Sequence, residues 1–178
     1  MYPFFRLLKD PRRAKSQPRL GLFDTHVSHH LCLPWDLDPW NELNNGRTLT
    51  IYDLGRIPFA VRTGLVDVLK EERWGLTVAG SVVRYRRRVR MFDRIEIRSR
   101  FLGWDRRFSY IDQSMWRPDG DCSSHAVFRT ACTDRNGIVA PERVMRAMRH
   151  AEPSPRLPDW VQGWIASEDQ RPWPPAQD

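Results

Sequence analysis

The chain has 178 residues, of which 40% are hydrophobic, so it can bury one good core, and its length predicts a single domain. Its formal charge is +7, from 29 Lys plus Arg against 22 Asp plus Glu. Arginine carries almost all of the positive charge and its planar fork suits phosphate, so nucleic acid, anionic lipid and a phosphate-bearing cofactor are candidate partners.

The beginning of the chain predicts no export signal and no membrane anchor. Residues 1–20 contain an apolar patch that is too short for a secretory signal, and no stretch approaches the ~20 apolar residues of a spanning helix. The 3 cysteines lack metal-ligand spacing, which argues for free thiols in a reducing compartment and against zinc. We therefore expect a cytoplasmic protein without stable membrane insertion, with residues 1–20 as a terminal arm.

A first strand is predicted over residues 22–33, where apolar and polar residues alternate loosely. It contains His26, His29 and His30, which could suggest a metal site or acid–base chemistry. His29 and His30 would point to opposite faces of the strand, and no carboxylate lies at ligand spacing. We expect ordinary, partly buried histidines and no metal.

A carboxylate-rich loop with Asp36 and Asp38 follows the first strand. Asn44 and Asn45 stand where a hydrophobic pattern begins, which is where a helix N-terminus is capped. The pattern continues with few polar positions, as in a helix that is enclosed on most sides. We predict a central helix over residues 47–65.

The central helix is expected to be interrupted. Pro58 should kink or restart it, and Gly64 should end it before a short second helix within residues 66–74. Asp53 and Arg56 are spaced to form an ion pair along the helix. A structural role is the default for this pair, and a catalytic Asp53 is the alternative.

Four strand-like runs come next, over residues 77–91, 94–104, 107–117 and 123–134, separated by turn signals. They predict a meander of long antiparallel strands. In the first run the even positions Arg84, Arg86, Arg88 and Arg90 would share one face. That face is either a solvated surface that discourages edge pairing, or a cradle for the phosphates of coenzyme A or of a carrier protein's phosphopantetheine, with Arg84, Arg86 and Arg88 binding substrate.

The C-terminal part, residues 151–178, is rich in proline and tryptophan and follows a brief predicted helix over residues 144–150. Its apolar residues fall on one helical face, so the tail should dock on the domain or on a partner subunit. The residues of that face are Leu157, Trp160, Val161, Trp164 and Ile165.

Three motifs carry a resemblance to a known family: D-L-D at residues 36–38, N-N-G-R at 44–47 and D-L-G-R at 53–56. Together they resemble the hot-dog-fold acyl-thioester hydrolases of the 4-hydroxybenzoyl-CoA thioesterase type, and the loop also resembles that of acyl-carrier-protein thioesterases. The resemblance implies an α+β hot-dog fold over residues 21–150, in which a curved antiparallel sheet of five to six strands wraps a long central helix. It also implies a homodimer or homotetramer that joins across an edge strand.

The resemblance assigns roles to the loop and to the start of the helix. Asp38 matches the family's catalytic aspartate and would attack the thioester carbonyl or activate water. Backbone N–H groups around Asn45 and Gly46 would bind the oxyanion. Asn44 would mainly cap the helix, and contact with the substrate would be its secondary role. Glu42 stands where relatives usually carry a histidine, and it would share the role of base.

We therefore expect an acyl-CoA thioesterase, a hydrolase that cleaves acyl-CoA or acyl-carrier-protein thioesters to free acid and thiol without a cofactor. The alternative is a non-catalytic acyl-CoA-binding hot-dog protein, which the missing histidine favours. Nucleic acid is not expected as a partner, because the aromatic residues are not interleaved with the arginines on one sheet face, as single-strand binders require.

Overall fold

The computed structural model describes residues 14–175. Within them, the strands form one antiparallel sheet in the order β1-β3-β4-β5-β2, with the short β6 paired to β5. The sheet is curled. The strands are β1 (His26–Leu31), β2 (Gly75–Tyr85), β3 (Arg94–Trp104), β4 (Ser109–Trp116), β5 (Cys122–Asp134) and β6 (Gly137–Ile138).

The long helix α1 (Asn45–Arg62) packs on one face of the sheet. It is followed by α2 (Leu65–Glu72), and later by α3 (Pro141–Ala147) and α4 (Asp159–Gln170). The predicted α+β arrangement of a central helix on a curved antiparallel sheet is confirmed. Among residues 14–175, none of the helices combines the length and the apolar character needed to cross a membrane.

Helix α1 lies close to β3 because Gly55 has no side chain. A Cβ atom at Gly55 would stand 2.6 Å from Cγ2 of Ile97 and 3.0 Å from Oγ of Ser99. Towards the start of α1, the buried Ile51 and Tyr52 pack into the core. The middle of the helix is therefore pressed against the sheet.

Pro58 does not restart the helix, which was one of its two expected effects, because α1 continues through this residue to Arg62. Proline removes one backbone hydrogen bond, but the buried Phe59 and Ala60 hold the following turn in place. The break at Gly64 is confirmed, since this residue adopts a φ of 87°, in the left-handed region that glycine tolerates.

Helix α4 covers part of the outer face of the sheet. The buried Leu157 and Val161 pack against Tyr110 and Val127, while Trp160 stays half exposed. The tail therefore docks on its own domain, which was one of the two expected sites. Of the predicted N-terminal arm, residues 1–13 lie outside the described residues.

The first strand of the predicted meander is shorter than expected. It was predicted to extend to residue 91, but β2 ends at Tyr85. The backbone N–H groups of Arg86 and Arg87 both donate to the carbonyl oxygen of Ser123, at 2.8 and 3.1 Å, so the regular ladder stops there. Val89 then turns into the core.

The prediction that Arg84, Arg86, Arg88 and Arg90 share one face of this strand is therefore wrong. Val83 packs against the core beneath α1, whereas Val82 packs against the outer cluster under α4. Because side chains alternate along a strand, Arg84 lies on the outer face, beside His125 of β5 in the register. Arg86 and Arg88 lie beyond the end of the strand, where alternation no longer applies.

Candidate functional site

A cavity of about 260 Å³ opens beside the N-terminus of α1. Its walls come from the loop before α1, from the first turn of α1, from the segment after β2, and from β4 and β5. The lining residues are Glu42, Leu43, Asn45, Thr48, Tyr85, Arg86, Arg87, Arg88, Val89, Met115, Ser123 and Ser124. Two predicted catalytic residues, Glu42 and Asn45, are thus brought together with two predicted substrate-binding arginines, Arg86 and Arg88.

Asn44 is the N-cap of α1, as the sequence predicted. Its Oδ1 accepts hydrogen bonds from the backbone N–H of Gly46 at 2.9 Å and of Arg47 at 3.2 Å. The N–H of Gly46 is therefore engaged by the cap. Asn45 is exposed and lines the cavity, as does the buried Thr48 of the same turn.

Asp36 fixes the loop from within. It is fully buried, and its Oδ1 accepts from Nη2 of Arg47 at 2.8 Å and from Nε at 3.2 Å. Its Oδ2 accepts from the backbone N–H of Leu33 at 3.0 Å. Its carbonyl oxygen accepts from the N–H of Asn44 at 2.9 Å. Asp36 thus ties the loop to the first turn of α1.

Asp38 closes a tight turn at the tip of the loop. Its Oδ1 accepts from the N–H of Trp40 at 2.9 Å and of Glu42 at 3.2 Å, and its own N–H donates to the carbonyl oxygen of Glu42 at 2.8 Å. Asp38 is not part of the cavity wall. Asp38 therefore lies outside the cavity wall, and its hydrogen bonds with the backbone of Glu42 hold that residue in position.

Glu42 is the carboxylate in the wall of the cavity. Its Oε1 lies 2.9 Å from Nε of Arg88, whose side chain is largely exposed. This ion pair is accessible to solvent, so an incoming anion can compete for the guanidinium. The cavity therefore offers a carboxylate whose partner can be exchanged.

A second cavity of about 500 Å³ adjoins the first and is strongly basic. Arg86, Arg87 and Arg88 line both cavities, and Arg90, Arg117 and Asp93 complete the second. Arg84 lines neither of these cavities, since it lies on the outer face of the sheet. The arginines that were predicted to bind phosphate thus meet on a loop rather than on a strand face, and Arg84 is not among them.

The floor of the first cavity consists of Met115 and Ser124, which are buried. The Oγ of Ser124 lies 2.9 Å from the hydroxyl of Tyr52, and the Tyr52 ring meets Phe128 edge to face, with 5.8 Å between ring centroids. Burial raises the pKa of Tyr52 well above its usual value, so this hydroxyl stays protonated. Sequence reasoning missed Met115 and Ser124, because only the strand register shows which residues face α1.

A buried polar network closes the interior behind this floor. Gln113 donates from Nε2 to the carbonyl oxygen of Tyr52 at 2.9 Å and to Oγ of Ser99 at 2.7 Å. Its Oε1 accepts from Nη1 of Arg56 at 2.9 Å, and the guanidinium of Arg56 lies 4.0 Å from the centre of the Phe128 ring. These hydrogen bonds tie α1 to β3 and β4.

The predicted ion pair between Asp53 and Arg56 is present, and Arg56 is buried. Asp53 belongs to neither of the two cavities described above. The geometry supports its structural role rather than the catalytic alternative.

The histidines of β1 do not form a metal site. Among residues 14–175, no group of three or more His, Cys, Asp or Glu side chains could hold a metal ion. His29 instead lies 3.2 Å from Glu96, and His30 lies 3.0 Å from Oγ of Ser28.

The comparison with known proteins agrees with this architecture. The family model of the thioesterase-like superfamily matches residues 32–165. The chain belongs to this superfamily. It is also 30% identical over 161 residues to Protein THEM6 of Xenopus laevis, an alignment that covers 88% of this chain and 75% of the relative.

Solved structures of other proteins share the fold. The probable thioesterase YbaW from Escherichia coli matches with a TM-score of 0.65 and 17% identity, over 69% of this chain and 96% of that one. The hypothetical protein SAV2348 from Staphylococcus aureus, solved in complex with CoA, matches with a TM-score of 0.63 and 13% identity, over 80% of this chain and 95% of that one. The chain therefore has the hot-dog fold that the sequence predicted.

Proposed function

We propose that the chain hydrolyses acyl thioesters at the cavity beside the N-terminus of α1. The observation that carries this proposal is the meeting of Glu42, Asn45 and a basic loop around one cavity. A thioester carbonyl needs a base or nucleophile near its carbon and a donor near its oxygen. Membership of the thioesterase-like superfamily supports the same reaction class.

Asn45 stabilises the oxyanion in this proposal. It lies in the first turn of α1, where the helix dipole favours developing negative charge. Its backbone N–H or its side-chain amide would donate to the carbonyl oxygen as that oxygen becomes anionic.

Glu42 acts as the general base in this proposal. It removes a proton from a water molecule as the water oxygen bonds to the carbonyl carbon. The tetrahedral intermediate then breaks its C–S bond, and the thiolate leaves and takes up a proton. When a phosphate of the substrate binds Arg88, it weakens the ion pair with Glu42, so substrate binding itself prepares the base.

Asp38 is a positioning residue in this proposal, because its side chain accepts hydrogen bonds from Trp40 and Glu42 and so holds the turn that carries Glu42. The resemblance to hot-dog thioesterases supports the other assignment, with Asp38 as the reacting carboxylate. Because the two assignments rank the variants Asp38→Asn and Glu42→Gln in opposite orders, kinetics can separate them.

The arginines of the second cavity would bind the phosphates of the substrate's carrier, either coenzyme A or the phosphopantetheine arm of a carrier protein. A planar guanidinium group can donate two hydrogen bonds to phosphate oxygens, and Arg86, Arg88 and Arg117 line one cavity. The CoA complex of the structurally similar SAV2348 supports this assignment.

The second candidate is acyl-CoA binding without turnover. The ion pair between Glu42 and Arg88 favours it, because a base held by a cation is a weaker base. The deciding experiment measures thiol release from acyl-CoA and acyl-carrier-protein thioesters alongside calorimetric binding. Release above the uncatalysed rate supports hydrolysis, and binding without release supports the second candidate.

A homodimer that joins across an edge strand would complete the assembly. Strand β2 pairs only with β5 among the described strands, and it exposes Leu76 and Val78. An exposed apolar edge of this kind is a template for pairing with another strand. Sedimentation velocity at micromolar concentration should show a dimer, and a monomer alone would contradict this part of the proposal.

A further inference from the structure

Two loops expose four large hydrophobic side chains. The loop from β1 to α1 exposes 67% of Trp35 and 77% of Trp40. The loop from β2 to β3 exposes 45% of Met91 and 60% of Phe92. We call these four side chains the apolar rim. Scattered single exposed residues are ordinary, but a group on adjacent loops marks an interaction surface.

Backbone hydrogen bonds hold the two loops side by side. The N–H of Cys32 donates to the carbonyl oxygen of Asp93 at 3.0 Å, and the N–H of Phe92 donates to that of Cys32 at 2.7 Å. The N–H of Leu43 donates to the carbonyl oxygen of Val89 at 2.8 Å. The apolar rim therefore belongs to one end of the molecule, the same end that contains the candidate site.

The backbone at Phe92 is unfavourable for its side chain. Its φ of 65° lies in the left-handed region, where glycine or asparagine is preferred and a bulky residue is strained. The strained ring is also exposed, so it adds little to the core. A strained and exposed aromatic residue points to a role outside the stability of the fold.

Free positive charges flank the apolar rim. Arg86, Arg90 and Arg94 are exposed, and none of them forms an ion pair with another residue between 14 and 175. If this end met the same end of a second copy, these like charges would repel each other. An anionic surface would instead neutralise them.

We propose that the apolar rim docks the protein reversibly on an anionic lipid surface. Tryptophan favours the boundary between water and lipid because its ring is apolar and its N–H is polar. Arginine can lay its apolar stem along the same boundary while its guanidinium binds lipid phosphate. Trp40 and Phe92 would enter the headgroup region and Arg94 would lie on it, a peripheral contact that needs no spanning helix.

Co-sedimentation of the full chain with vesicles tests this proposal. Binding to vesicles of phosphatidylcholine mixed with phosphatidylserine, but not of phosphatidylcholine alone, is expected, and added salt should weaken it. Trp40→Ala and Phe92→Gly should each lower the partition coefficient about tenfold, as expected for the loss of one buried aromatic side chain. Phe92→Gly should keep or raise the melting temperature, because glycine relieves the strained φ.

Two matched controls make the test specific. Trp173 is 87% exposed in the C-terminal tail, so Trp173→Ala should bind vesicles like the wild type. Arg94→Glu should abolish binding to vesicles. Arg135→Glu should not, since Arg135 directly follows the C-terminal end of β5 and belongs to neither of the two loops that carry the apolar rim.

Three results would overturn the proposal. The first is no sedimentation with either kind of vesicle. The second is wild-type binding by both Trp40→Ala and Phe92→Gly, which would mean that the attraction is only electrostatic. The third is a smaller sedimenting species for Trp40→Ala than for the wild type, which would assign the rim to contact with a second copy.

Discussion

We expect His26 to make a large contribution to the change of the free energy of unfolding with pH. This side chain is only 3% exposed, and its Nδ1 lies 3.0 Å from Nη1 of Arg62. A guanidinium can only donate, so Nδ1 accepts and the ring is neutral. Burial, and then the positive charge of Arg62, lower the pKa of His26 from 6.5 to about 4.

The sign follows from proton binding by the two states. Between about pH 6.5 and pH 4, the unfolded chain binds a proton at His26 that the folded chain does not. The free energy of unfolding therefore falls as the pH falls through this range. A shift from 6.5 to about 4, at ~1.4 kcal/mol for each pKa unit, gives a loss of roughly 3 kcal/mol.

Urea unfolding of the wild type and of His26→Gln, at intervals from pH 7 to pH 4, measures this contribution. The difference between their free energies of unfolding should shrink as the pH falls, by up to roughly 3 kcal/mol. His29→Gln is the comparison variant, since His29 lies on the same strand but is exposed. If the free energies of unfolding of the wild type and His26→Gln changed with pH in parallel, the proposed contribution of His26 would be refuted.

Three further predictions concern the site. Replacing both Arg86 and Arg88 with Ala should raise KM for a CoA thioester at least tenfold and change kcat less than threefold. The reason is that contacts to phosphate stabilise the ground state and the transition state alike. A fall in kcat at constant KM would contradict the proposal that these arginines bind phosphate. Met115→Ala should deepen the cavity and shift the ratio of kcat/KM values towards longer acyl chains, whereas an unchanged chain-length profile would remove Met115 from the acyl site. Asp36→Asn should cost roughly 3 kcal/mol of stability in thermal or urea unfolding, because it removes the buried negative charge that faces the guanidinium of Arg47. A loss below ~0.5 kcal/mol would contradict the role of Asp36 in holding the loop to α1.

Local signals in the sequence were sufficient where structure depends on near neighbours. Asn44 was predicted as the cap because it precedes an apolar helical pattern, and it caps α1. Gly64 was predicted as a break, and α1 ends beside it at a φ of 87° that glycine adopts without strain. The run at residues 94–104 was predicted as a strand and is β3.

Features set by partners that are distant in the sequence could not be predicted. The end of β2 depends on Ser123, whose carbonyl oxygen accepts from two successive residues of the other strand. The floor at Met115 and the network at Gln113 depend on the register of β4 against its neighbours. The separation of Asp38 from the cavity depends on how the loop folds back on itself, which no motif records.

The most direct test of the proposed site compares thiol release by the wild type, Glu42→Gln and Asp38→Asn from the acyl-CoA ester that the wild type cleaves fastest. With Glu42 as the base, Glu42→Gln should lower kcat about 10²-fold or more, since a positioned base contributes that much. Asp38→Asn should cost less than about tenfold, because the amide oxygen of asparagine can still accept from Trp40 and Glu42. A loss of 10²-fold or more in Asp38→Asn, with Glu42→Gln close to the wild type, would contradict this account and make Asp38 the reacting carboxylate.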